Sequence, residues 1–194
     1  MTNSVKKGTL FVISGPSGVG KGTLVDMVRR KYPLIALSIS ATTRKPRPGE
    51  QDRVHYFFLS KEEFRIRIKL NEFIEWSEFA GNLYGTNKKF VEQMLTEGYS
   101  LILEIDVNGA LQVKDKIKDA ILIFIEPPSF EELKARLFKR STESEEEIQK
   151  RLAIVKGELE KKHEFNYTIV NDNIDSAFKN IENIVLKELN KVHK

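Results

Sequence analysis

Residues 15–23 constrain the fold more than any other part of this chain. They read Gly-Pro-Ser-Gly-Val-Gly-Lys-Gly-Thr, directly after the apolar run 9–14 and directly before a helical pattern that begins at Leu24. A glycine-rich turn between a strand and a helix directs successive backbone N–H groups at one anion, and Lys21 adds a mobile positive charge beside the outer phosphates. The pattern therefore predicts a loop that binds nucleotide phosphates, and its strand and helix disfavour the alternative of a flexible glycine turn.

The residue after Lys21 departs from the common pattern of such loops, in which Ser or Thr binds Mg²⁺ at that position. It is Gly22 here, and the nearest hydroxyl belongs to Thr23. We expect Thr23 to contact an inner phosphate and Mg²⁺ to be held mainly by nucleotide oxygens and water, which is ordinary coordination for that ion. The predicted phosphate-binding residues are Gly15, Pro16, Ser17, Gly18, Val19, Gly20, Lys21, Gly22 and Thr23.

The composition indicates one globular domain of 194 residues, because 40% of them are hydrophobic and 31% are charged. The chain has no cysteine, which excludes a disulfide scaffold and a thiolate metal site. No apolar run has the length of a membrane span, and the first residues do not resemble a signal peptide, so we expect a cytoplasmic protein without a membrane partner. A net charge of +4 suits a polyphosphate site without invoking nucleic acid.

Apolar strands alternate with helical patterns along most of the chain. The predicted strands are 9–14, 34–40, 100–106, 121–125 and 167–170. Such alternation predicts an α/β fold of the three-layer P-loop type, with a central parallel sheet and a ligand site beyond the carboxyl ends of its strands. Ser60, Ser129 and Ser144 each precede a Glu by three residues, which predicts a capping box at three helix starts.

Two segments interrupt the alternation and are predicted to be insertions within a single domain, 1–194. Residues 42–98 are rich in aromatic side chains and include a short strand-like run at 54–59, so we interpret them as a substrate-binding flap. Residues 129–151 are helical, polar and arginine-bearing, and we interpret them as a lid. The predicted core is the remainder, about 1–41, 99–128 and 152–194.

Arg44 and Arg47 indicate a second phosphate site at the start of the flap. Prolines at 46 and 48 favour an extended backbone of about three residues per turn, so the two guanidinium groups would face the same way. Two converging guanidinium groups suit a phosphate monoester, with about 1.5 to 3 kcal/mol from each charge-assisted hydrogen bond. The alternative is a solvated basic turn.

Six motifs in a fixed order carry a resemblance to a known family. They are Ser-Gly-Pro-Ser-Gly-Val-Gly-Lys-Gly-Thr at 14–23, Ser-Ala-Thr-Thr-Arg-Lys-Pro-Arg-Pro-Gly-Glu at 40–50, Glu-Phe-Ile-Glu-Trp at 72–76, Gly-Asn-Leu-Tyr-Gly-Thr at 81–86, Glu-Ile-Asp-Val-Asn-Gly at 104–109 and Arg-Ser-Thr-Glu-Ser at 140–144. The chain resembles guanylate kinase over nearly its whole length. The resemblance implies transfer of the γ-phosphoryl group of ATP to GMP, with Mg²⁺ as cofactor and without a covalent enzyme intermediate.

The resemblance also assigns roles to individual residues. It implies that Arg44, Arg47, Tyr56 and Tyr84 hold the GMP phosphate and that Ser40, Glu75, Thr86 and Asp106 contact guanine. It implies that the catalytic cations are Lys21, Arg44 and the lid arginines Arg136, Arg140 and Arg151. Asn171 resembles the family's adenine contact, although Asn is also typical of a turn that ends a strand. Use of dGMP and the oligomeric state are left open.

The chemistry of guanine supports a carboxylate beside hydroxyl groups. Guanine offers donors at N1 and N2 and an acceptor at O6, so Glu75 can accept while Ser40 and Thr86 donate to O6. Adenine would leave these groups unpaired, a mismatch that can give discrimination of about 10⁴. Without the family, Glu75 looks like a surface acid and Trp76 like the residue that anchors the segment.

Arg136 and Arg140 lie four residues apart, hence on one face of a helix, and are predicted to close over ATP and exclude water. The alternative is ion pairing with Glu132 or Glu143. The family often has Asp where Glu104 stands and Gln where Asn108 stands, which leaves the protein ligand of Mg²⁺ open between Thr23 and Glu104.

Two other functions remain alternatives at this point. Guanylate-kinase-like domains also occur as non-enzymatic modules that bind phosphopeptides, typically with a degraded phosphate loop, and a P-loop kinase could use another small acceptor.

Overall fold

The computed structural model describes residues 6–140 and 145–192, apart from the side chains of 137–140, 145–148, 150 and 192. Its main sheet has five parallel strands, which confirms the predicted fold class. In sheet order they are β2 (Ala36–Leu37), β7 (Leu101–Glu104), β1 (Leu10–Ser14), β8 (Ile121–Glu126) and β9 (Tyr167–Val170). The central strand β1 pairs with β7 on one side and with β8 on the other, so the phosphate-binding loop that follows it starts at the middle of the sheet.

Helices cover both faces of the main sheet. They include α1 (Lys21–Lys31), α3 (Lys88–Thr96), α4 (Val107–Lys116) and α7 (Ile174–Val192). Alternate residues of β1 serve opposite faces: Phe11 and Ile13 pack in the core with α1 and α7, and Leu10 and Val12 pack in the core with α3 and α4. Both faces of the sheet are therefore buried, as a parallel sheet requires.

A second, four-stranded sheet forms most of the predicted flap. Its order is β4 (Phe57–Phe58), β3 (Ala41–Thr42), β6 (Asn82–Asn87) and β5 (Phe73–Phe79), with α2 (Lys61–Lys69) against it. Phe64 of α2 stacks on Phe73 of β5 with ring centroids 4.4 Å apart, and this pair forms a small separate core. The division of the chain into core, flap and lid stays a prediction.

The remaining helical elements follow β8. They are α5 (Phe130–Arg140), α6 (Glu145–Glu160) and a 3₁₀ turn at Lys161–Glu164. Leu133 of α5 and Leu152 and Val155 of α6 are buried in the same core as α1 and α7. No helix in the described ranges is both long and apolar enough to cross a membrane.

Two predicted strands are much shorter than expected. The prediction of 34–40 is wrong outside Ala36–Leu37, because the chain leaves the main sheet after Ser38 and joins the flap sheet at Ala41. The prediction of 54–59 is wrong outside Phe57–Phe58. There the exposed residues 51–55 form a turn in which Asp52 Oδ1 accepts a hydrogen bond from Phe58 N–H.

The predicted helix starts can be checked at two of three positions. Ser60 forms the full capping box with Glu63 at the start of α2. Ser129 Oγ accepts a hydrogen bond from Glu132 N–H at 3.1 Å, but the Glu132 carboxylate pairs with Arg136. Ser144 lies outside the described residues.

Candidate active site

A cleft of about 450 Å³ opens beyond the carboxyl ends of β1 and β7, between the main sheet, the flap sheet and α6. It is lined by the phosphate-loop residues Gly15, Ser17, Gly18, Gly20, Lys21, Gly22 and Thr23, the flap residues Ser40, Arg47, Tyr56, Glu75, Ser77, Phe79 and Tyr84, and by Glu104, Ile105, Asp106 and Glu158. The cleft thus brings together most of the residues that the sequence assigned to the phosphate-binding loop, to the GMP phosphate and to guanine.

The phosphate-binding loop has the backbone that an anion site needs. Gly15 adopts φ 139°, and a Cβ there would lie 2.1 Å from the carbonyl oxygen of Ile125, so only glycine fits where the loop leaves the sheet. Gly20 precedes α1 with φ 94° and has no side chain to cap that helix. The first N–H groups of α1 therefore stay available to a bound anion, and the positive end of the helix dipole favours it.

Lys21 is folded back over the loop. Its Nζ donates hydrogen bonds to the carbonyl oxygens of Gly15 at 2.6 Å and Pro16 at 3.0 Å. Burial lowers the pKa of Lys21, and the carboxylates of Glu104, Glu158 and Asp106 oppose that shift. The ammonium group is thus held at the base of the cleft among acidic groups, where a phosphate can replace the two carbonyl oxygens.

Two of these acidic groups have raised pKa values themselves. Burial raises the pKa of Glu158 to about 7, against the stabilising charge of Lys21. Desolvation by the cleft walls also raises the pKa of Glu104, although its side chain is accessible to solvent. Sequence reasoning missed Glu158, which lies on α6 far from every motif, and its spacing gave no signal.

The flap residues predicted to hold a phosphate converge at one end of the cleft. The Arg44 guanidinium lies 5.4 Å from the centre of the Tyr56 ring, and that ring meets Tyr84 edge-on at 6.2 Å. Arg47 lines the cleft directly. Arg44 lies behind that wall, because its guanidinium donates two hydrogen bonds to Glu50, at 2.8 and 2.9 Å.

Glu50 organises this arginine turn and was missed by the sequence reasoning. Besides Arg44, it accepts a hydrogen bond from the Arg47 backbone N–H at 2.7 Å. Hydrogen bonds from Arg44 and from the Arg47 backbone lower the pKa of Glu50 to about 2. The signal was present, since Glu50 closes the same motif, 40–50, that supplied both arginines.

Glu75 is the central group at the other end of the cleft. It is only 2% exposed, and its Oε1 accepts a hydrogen bond from Thr86 Oγ1 at 2.6 Å. Burial raises the pKa of Glu75 to about 7, partly offset by that hydrogen bond. Trp76 is 39% exposed, so the expectation that Trp76 anchors the segment and Glu75 is a surface acid is wrong. Alternation along β5 turns Glu75 inward and Trp76 outward.

Asp106 lies beside Glu75 and is itself held in place. Its Oδ1 accepts from Gly109 N–H at 2.8 Å, which caps α4, and its Oδ2 accepts a short hydrogen bond from Ser77 Oγ. Ser77, two residues after Glu75 on the same strand face, also lines the cleft. The period of two in a β-strand could have identified Ser77 once Glu75 was assigned.

Of the three predicted lid arginines, Arg151 contacts the phosphate-binding loop and Arg136 contacts Asn171 beside it. Arg151 donates a hydrogen bond to Ser17 Oγ at 2.8 Å. Arg136 pairs with Glu132 at 2.5 Å, which is one of the two partners that the alternative named, and also donates to the carbonyl oxygen of Asn171 at 3.3 Å. The side chain of Arg140 lies outside the described part of the chain.

Asn171 and Arg136 line a second pocket of about 280 Å³ beside the loop, together with Gly18, Gly20, Asp172 and Ile174. The Asn171 side chain is buried, and its Nδ2 donates a hydrogen bond to the carbonyl oxygen of Val19 at 2.7 Å. A Cβ on Gly20 would lie 2.7 Å from that same Nδ2. Asn171 therefore stabilises the loop through this hydrogen bond and also lines the pocket beside the loop.

Gly22 and Glu104 determine what the protein can offer to Mg²⁺. A Cβ on Gly22 would lie 3.5 and 3.7 Å from the two carboxylate oxygens of Glu104. The carboxylate of Glu104 is therefore next to the position where related loops carry a Ser or Thr hydroxyl. Among the described residues, no group of three or more His, Asp or Glu side chains forms a metal site by itself. The donor set thus fits an ion that takes most of its ligands from phosphates and water.

A parallel sheet with this loop at its centre, and a second sheet that brings arginines, tyrosines and a buried carboxylate to the same cleft, define a P-loop nucleotide-binding protein of the nucleoside monophosphate kinase type. A family model described as guanylate kinase matches residues 7–188. The chain belongs to the guanylate kinase family, which confirms the resemblance seen in its motifs.

Individual relatives agree with the family match. The chain is 50% identical over 181 residues to a guanylate kinase of Desulfitobacterium hafniense (strain Y51), covering 93% of this chain and 90% of that protein. It is 51% identical over 191 residues to one of Clostridium perfringens (strain 13 / Type A), covering 97% and 88%. A crystal structure of guanylate kinase from Anaplasma phagocytophilum matches with a TM-score of 0.76 and 33% identity, covering 94% of this chain and 87% of that one.

Proposed function

We propose that this chain transfers the γ-phosphoryl group of ATP to GMP, giving ADP and GDP, and so acts in purine nucleotide metabolism. The observation that carries the proposal is the single cleft that has Lys21 and the phosphate-binding loop on one side and buried Glu75 with Asp106 on the other. Membership of the guanylate kinase family supports the same reaction. The cysteine-free composition suits the reducing cytoplasm, where we place the enzyme.

Guanine is assigned to the end of the cleft that contains Glu75. An ionised Glu75 accepts hydrogen bonds from the N1 and N2 donors of guanine, and Asp106 adds a second acceptor beside it. The hydroxyls of Ser40 and Thr86 supply donors for O6, which requires Thr86 to turn from Glu75 towards the base. AMP would present an unprotonated N1 to the carboxylate and leave buried polar groups unpaired.

The GMP phosphate is assigned to the arginine and tyrosine cluster of the flap. Arg47, Tyr56 and Tyr84 line the cleft and supply one cation and two hydroxyl donors. Arg44 reaches the same phosphate when its guanidinium shares its donors between its present partners and the ligand, since of its five N–H donors two go to Glu50 and one to the carbonyl oxygen of Lys45. A dianionic phosphate is thus met by two guanidinium groups.

ATP is assigned to the phosphate-binding loop, with its base towards the pocket lined by Arg136 and Asn171. Backbone N–H groups of the loop and Lys21 hold the β- and γ-phosphates. Arg151 is held beside the loop by its hydrogen bond to Ser17 Oγ. Arg136 is assigned to close over the phosphates and exclude water, and the same role for Arg140 stays a prediction from the sequence. Bound Mg²⁺ supplies charge neutralisation on the phosphates, and Thr23 and Glu104 are the residues that would hold it.

The reaction needs no covalent intermediate. An oxygen of the GMP phosphate bonds to the γ-phosphorus of ATP while the bond from that phosphorus to the β–γ bridging oxygen breaks, with the two oxygens in line. Lys21 and the arginines stabilise the charge that spreads over the transferred group, and the cleft holds donor and acceptor at the required separation. Positioning and electrostatics therefore account for the catalysis.

The experiment is a comparison of acceptors. ADP formation from ATP and Mg²⁺ is measured with GMP, AMP, CMP and UMP, each against a control without acceptor. We expect rapid turnover with GMP alone. Turnover with a different acceptor would contradict the assignment of guanine to the Glu75 end, and a folded protein without turnover on any acceptor would favour a phosphopeptide-binding module.

A further inference from the structure

Helix α4 of the core packs along the open edge of the flap sheet. Strand β5 is the outermost strand of that sheet, so the backbone groups on its free side lack a strand partner. Side chains of α4 provide partners instead. Gln112 accepts a hydrogen bond from Trp76 N–H at 3.2 Å and donates one to the Trp76 carbonyl oxygen at 2.7 Å, and Lys116 donates to the carbonyl oxygen of Ile74. The backbone on both sides of Glu75 is thereby tied to the core.

The same face of α4 also touches the Glu75 side chain. Gly109 lies three residues before Gln112, and a Cβ on Gly109 would be 2.6 Å from Glu75 Oε2 and 3.3 Å from its Cδ. A real Cβ atom cannot approach an oxygen that closely, so any side chain at 109 would force the carboxylate to move. The carboxylate has little freedom to do so in place, because it is buried and its other oxygen is bonded to Thr86.

Backbone conformation does not explain glycine at this position. Gly109 lies in the first turn of α4, and its φ angle is not positive. Alanine is the better helix former by about 1 kcal/mol in a helix interior. What the missing side chain provides is therefore room for the carboxylate of Glu75.

We propose that Gly109 and Gln112 form a specificity-determining face of α4, which positions the Glu75 carboxylate for the Watson–Crick edge of a guanine nucleotide. Neither residue is among the described residues that line the cleft, so both act through residues that do. Gly109 also donates its backbone N–H to Asp106, and Gly109→Ala keeps that N–H, so this substitution tests the effect on Glu75. Gly109 determines how closely the Glu75 carboxylate approaches α4. Gln112 fixes the position of strand β5, which carries Glu75, relative to α4. The inference rests on the proposed role of Glu75 in binding guanine.

The first test is Gly109→Ala. Displacing a positioned group by about 1 Å can cost up to about 10²-fold, so we expect the KM for GMP to rise at least about tenfold. The KM for ATP should stay within about twofold, and discrimination against AMP should fall, since Glu75 is the group that separates the bases. Gly157→Ala on α6 is the matched control, because a Cβ there meets nothing within 4 Å; it should leave both KM values unchanged.

A double-mutant cycle separates positioning from a general effect on the fold. Glu75→Asp shortens the side chain by one methylene group and withdraws the carboxylate from Gly109. Adding Gly109→Ala to Glu75→Asp should then raise the KM for GMP by less than about twofold, so the two effects are not additive. If the two effects multiply in full, Gly109 does not act through the Glu75 carboxylate and the proposal fails.

Gln112 provides a second test that does not depend on Gly109. Gln112→Ala should raise the KM for GMP about threefold to tenfold, as expected for lost hydrogen bonds of ordinary strength. Gln112→Glu, which can still accept from Trp76 N–H, should be intermediate. Gln93→Ala, which removes an exposed contact to Glu97 on α3, is the control. GMP binding can also be followed directly through the fluorescence of Trp76, the one tryptophan of the chain.

The outcomes distinguish this proposal from the proposed function. A wild-type enzyme without GMP-dependent turnover would overturn the function itself. A wild-type enzyme that uses GMP, combined with unchanged GMP binding in Gly109→Ala and Gln112→Ala, would overturn only the role of α4. Equal losses for GMP and ATP in both variants would also overturn it, because they would indicate general damage to the fold.

Discussion

The phosphate-binding loop and the proposed guanine pocket lie on opposite sides of one cleft, and they are built from the chain in different ways. The loop is nine consecutive residues whose available backbone N–H groups are the proposed phosphate donors, and Lys21 is held by carbonyl oxygens of the loop itself. The proposed guanine pocket is assembled from β5, β6, the start of α4 and Ser40, and its two carboxylates are each held by a hydroxyl from another segment. Glu75 accepts from Thr86, and Asp106 accepts from Ser77.

This difference explains where specificity resides. A site made of backbone groups recognises any phosphate of suitable shape, whereas a site made of buried side chains recognises one pattern of donors and acceptors. Burial is what makes the second kind selective, because an unpaired polar group in the pocket costs about 1 to 3 kcal/mol. Substitutions in the loop should therefore lower the rate of the reaction, and substitutions in the pocket should weaken the binding of GMP alone.

The largest effect is expected from Lys21→Ala. Loss of one preorganised cation at the transferred group should lower kcat by about 10² to 10³. The melting temperature should change little, since the ammonium group donates its two hydrogen bonds to carbonyl oxygens of the loop and its acidic neighbours line the open cleft. Lys89→Ala, an exposed lysine of α3, serves as the control for loss of one positive charge. Near-normal turnover of Lys21→Ala would contradict the role of the loop.

Glu75→Gln should give the next largest effect, and on one substrate. The variant keeps the size of the side chain but loses the charged acceptor, and hydrogen bonds to charged groups are worth about 1.5 to 3 kcal/mol. The KM for GMP should therefore rise about tenfold to a hundredfold while ATP binding is unchanged. Glu78→Gln, an exposed position on the same strand, is the control. An equal loss of ATP affinity would contradict the assignment of Glu75 to GMP alone.

Binding of GMP should improve as the pH rises towards neutrality. Burial raises the pKa of Glu75 to about 7, and only the ionised carboxylate accepts both donors of guanine. Below that pKa the KM for GMP should rise by up to about tenfold per pH unit. The GMP phosphate titrates near pH 6 as well, so the profile of Glu75→Gln provides the baseline. Identical pH profiles for wild type and variant would contradict the assigned pKa.

Stability should change with pH in the opposite direction. The folded pKa of Glu75 lies above the unfolded value of 4.5, so the folded protein binds the extra proton between these values. The free energy of unfolding should therefore fall between pH 4.5 and 7, by on the order of 3 kcal/mol, relative to Glu75→Gln. Denaturant unfolding of both proteins at pH 5 and 7.5 measures it, and a constant difference would contradict the burial.

The smallest effect is expected from Glu50→Gln. The amide still accepts one hydrogen bond from Arg44 but loses the bidentate charged pair, so Arg44 is less well fixed for the GMP phosphate. The KM for GMP should rise about twofold to fivefold, in line with one weakened hydrogen bond at an accessible site. Glu62→Gln on α2 is the control. An increase as large as that of Glu75→Gln would mean that the phosphate cluster, and not the base pocket, dominates GMP binding.

The same contrast explains what the sequence could predict. The phosphate-binding loop and Lys21 were predicted from nine residues and their neighbours, and the parallel sheet was predicted from the alternation of apolar strands and helical patterns along the chain. The burial of Glu75 depends on the pairing of β5 with β6 and on the packing of α4, neither of which local pattern reveals. Only the resemblance to a family suggested its role.

Other differences have the same physical origin. The predicted strand 34–40 contains one apolar pattern but serves two sheets, and a pattern does not record where a chain changes partners. Glu158 reaches the cleft because α6 folds back over the loop, so its role depends on tertiary structure alone. Ser77 and Glu50, by contrast, follow from strand periodicity and from motif 40–50 and could have been predicted.

The most direct test of a shared cleft is the binding of one molecule that carries both nucleosides. Adenosine and guanosine joined through a chain of five phosphates would place guanine at the Glu75 end of the cleft and adenine towards the pocket beside the phosphate-binding loop. Calorimetry should show one molecule bound per chain, more tightly than ATP or GMP alone, with competition from each and weaker binding to Glu75→Gln. Binding no tighter than that of ATP, and unaffected by GMP, would contradict the central claim that the two sites form one active site.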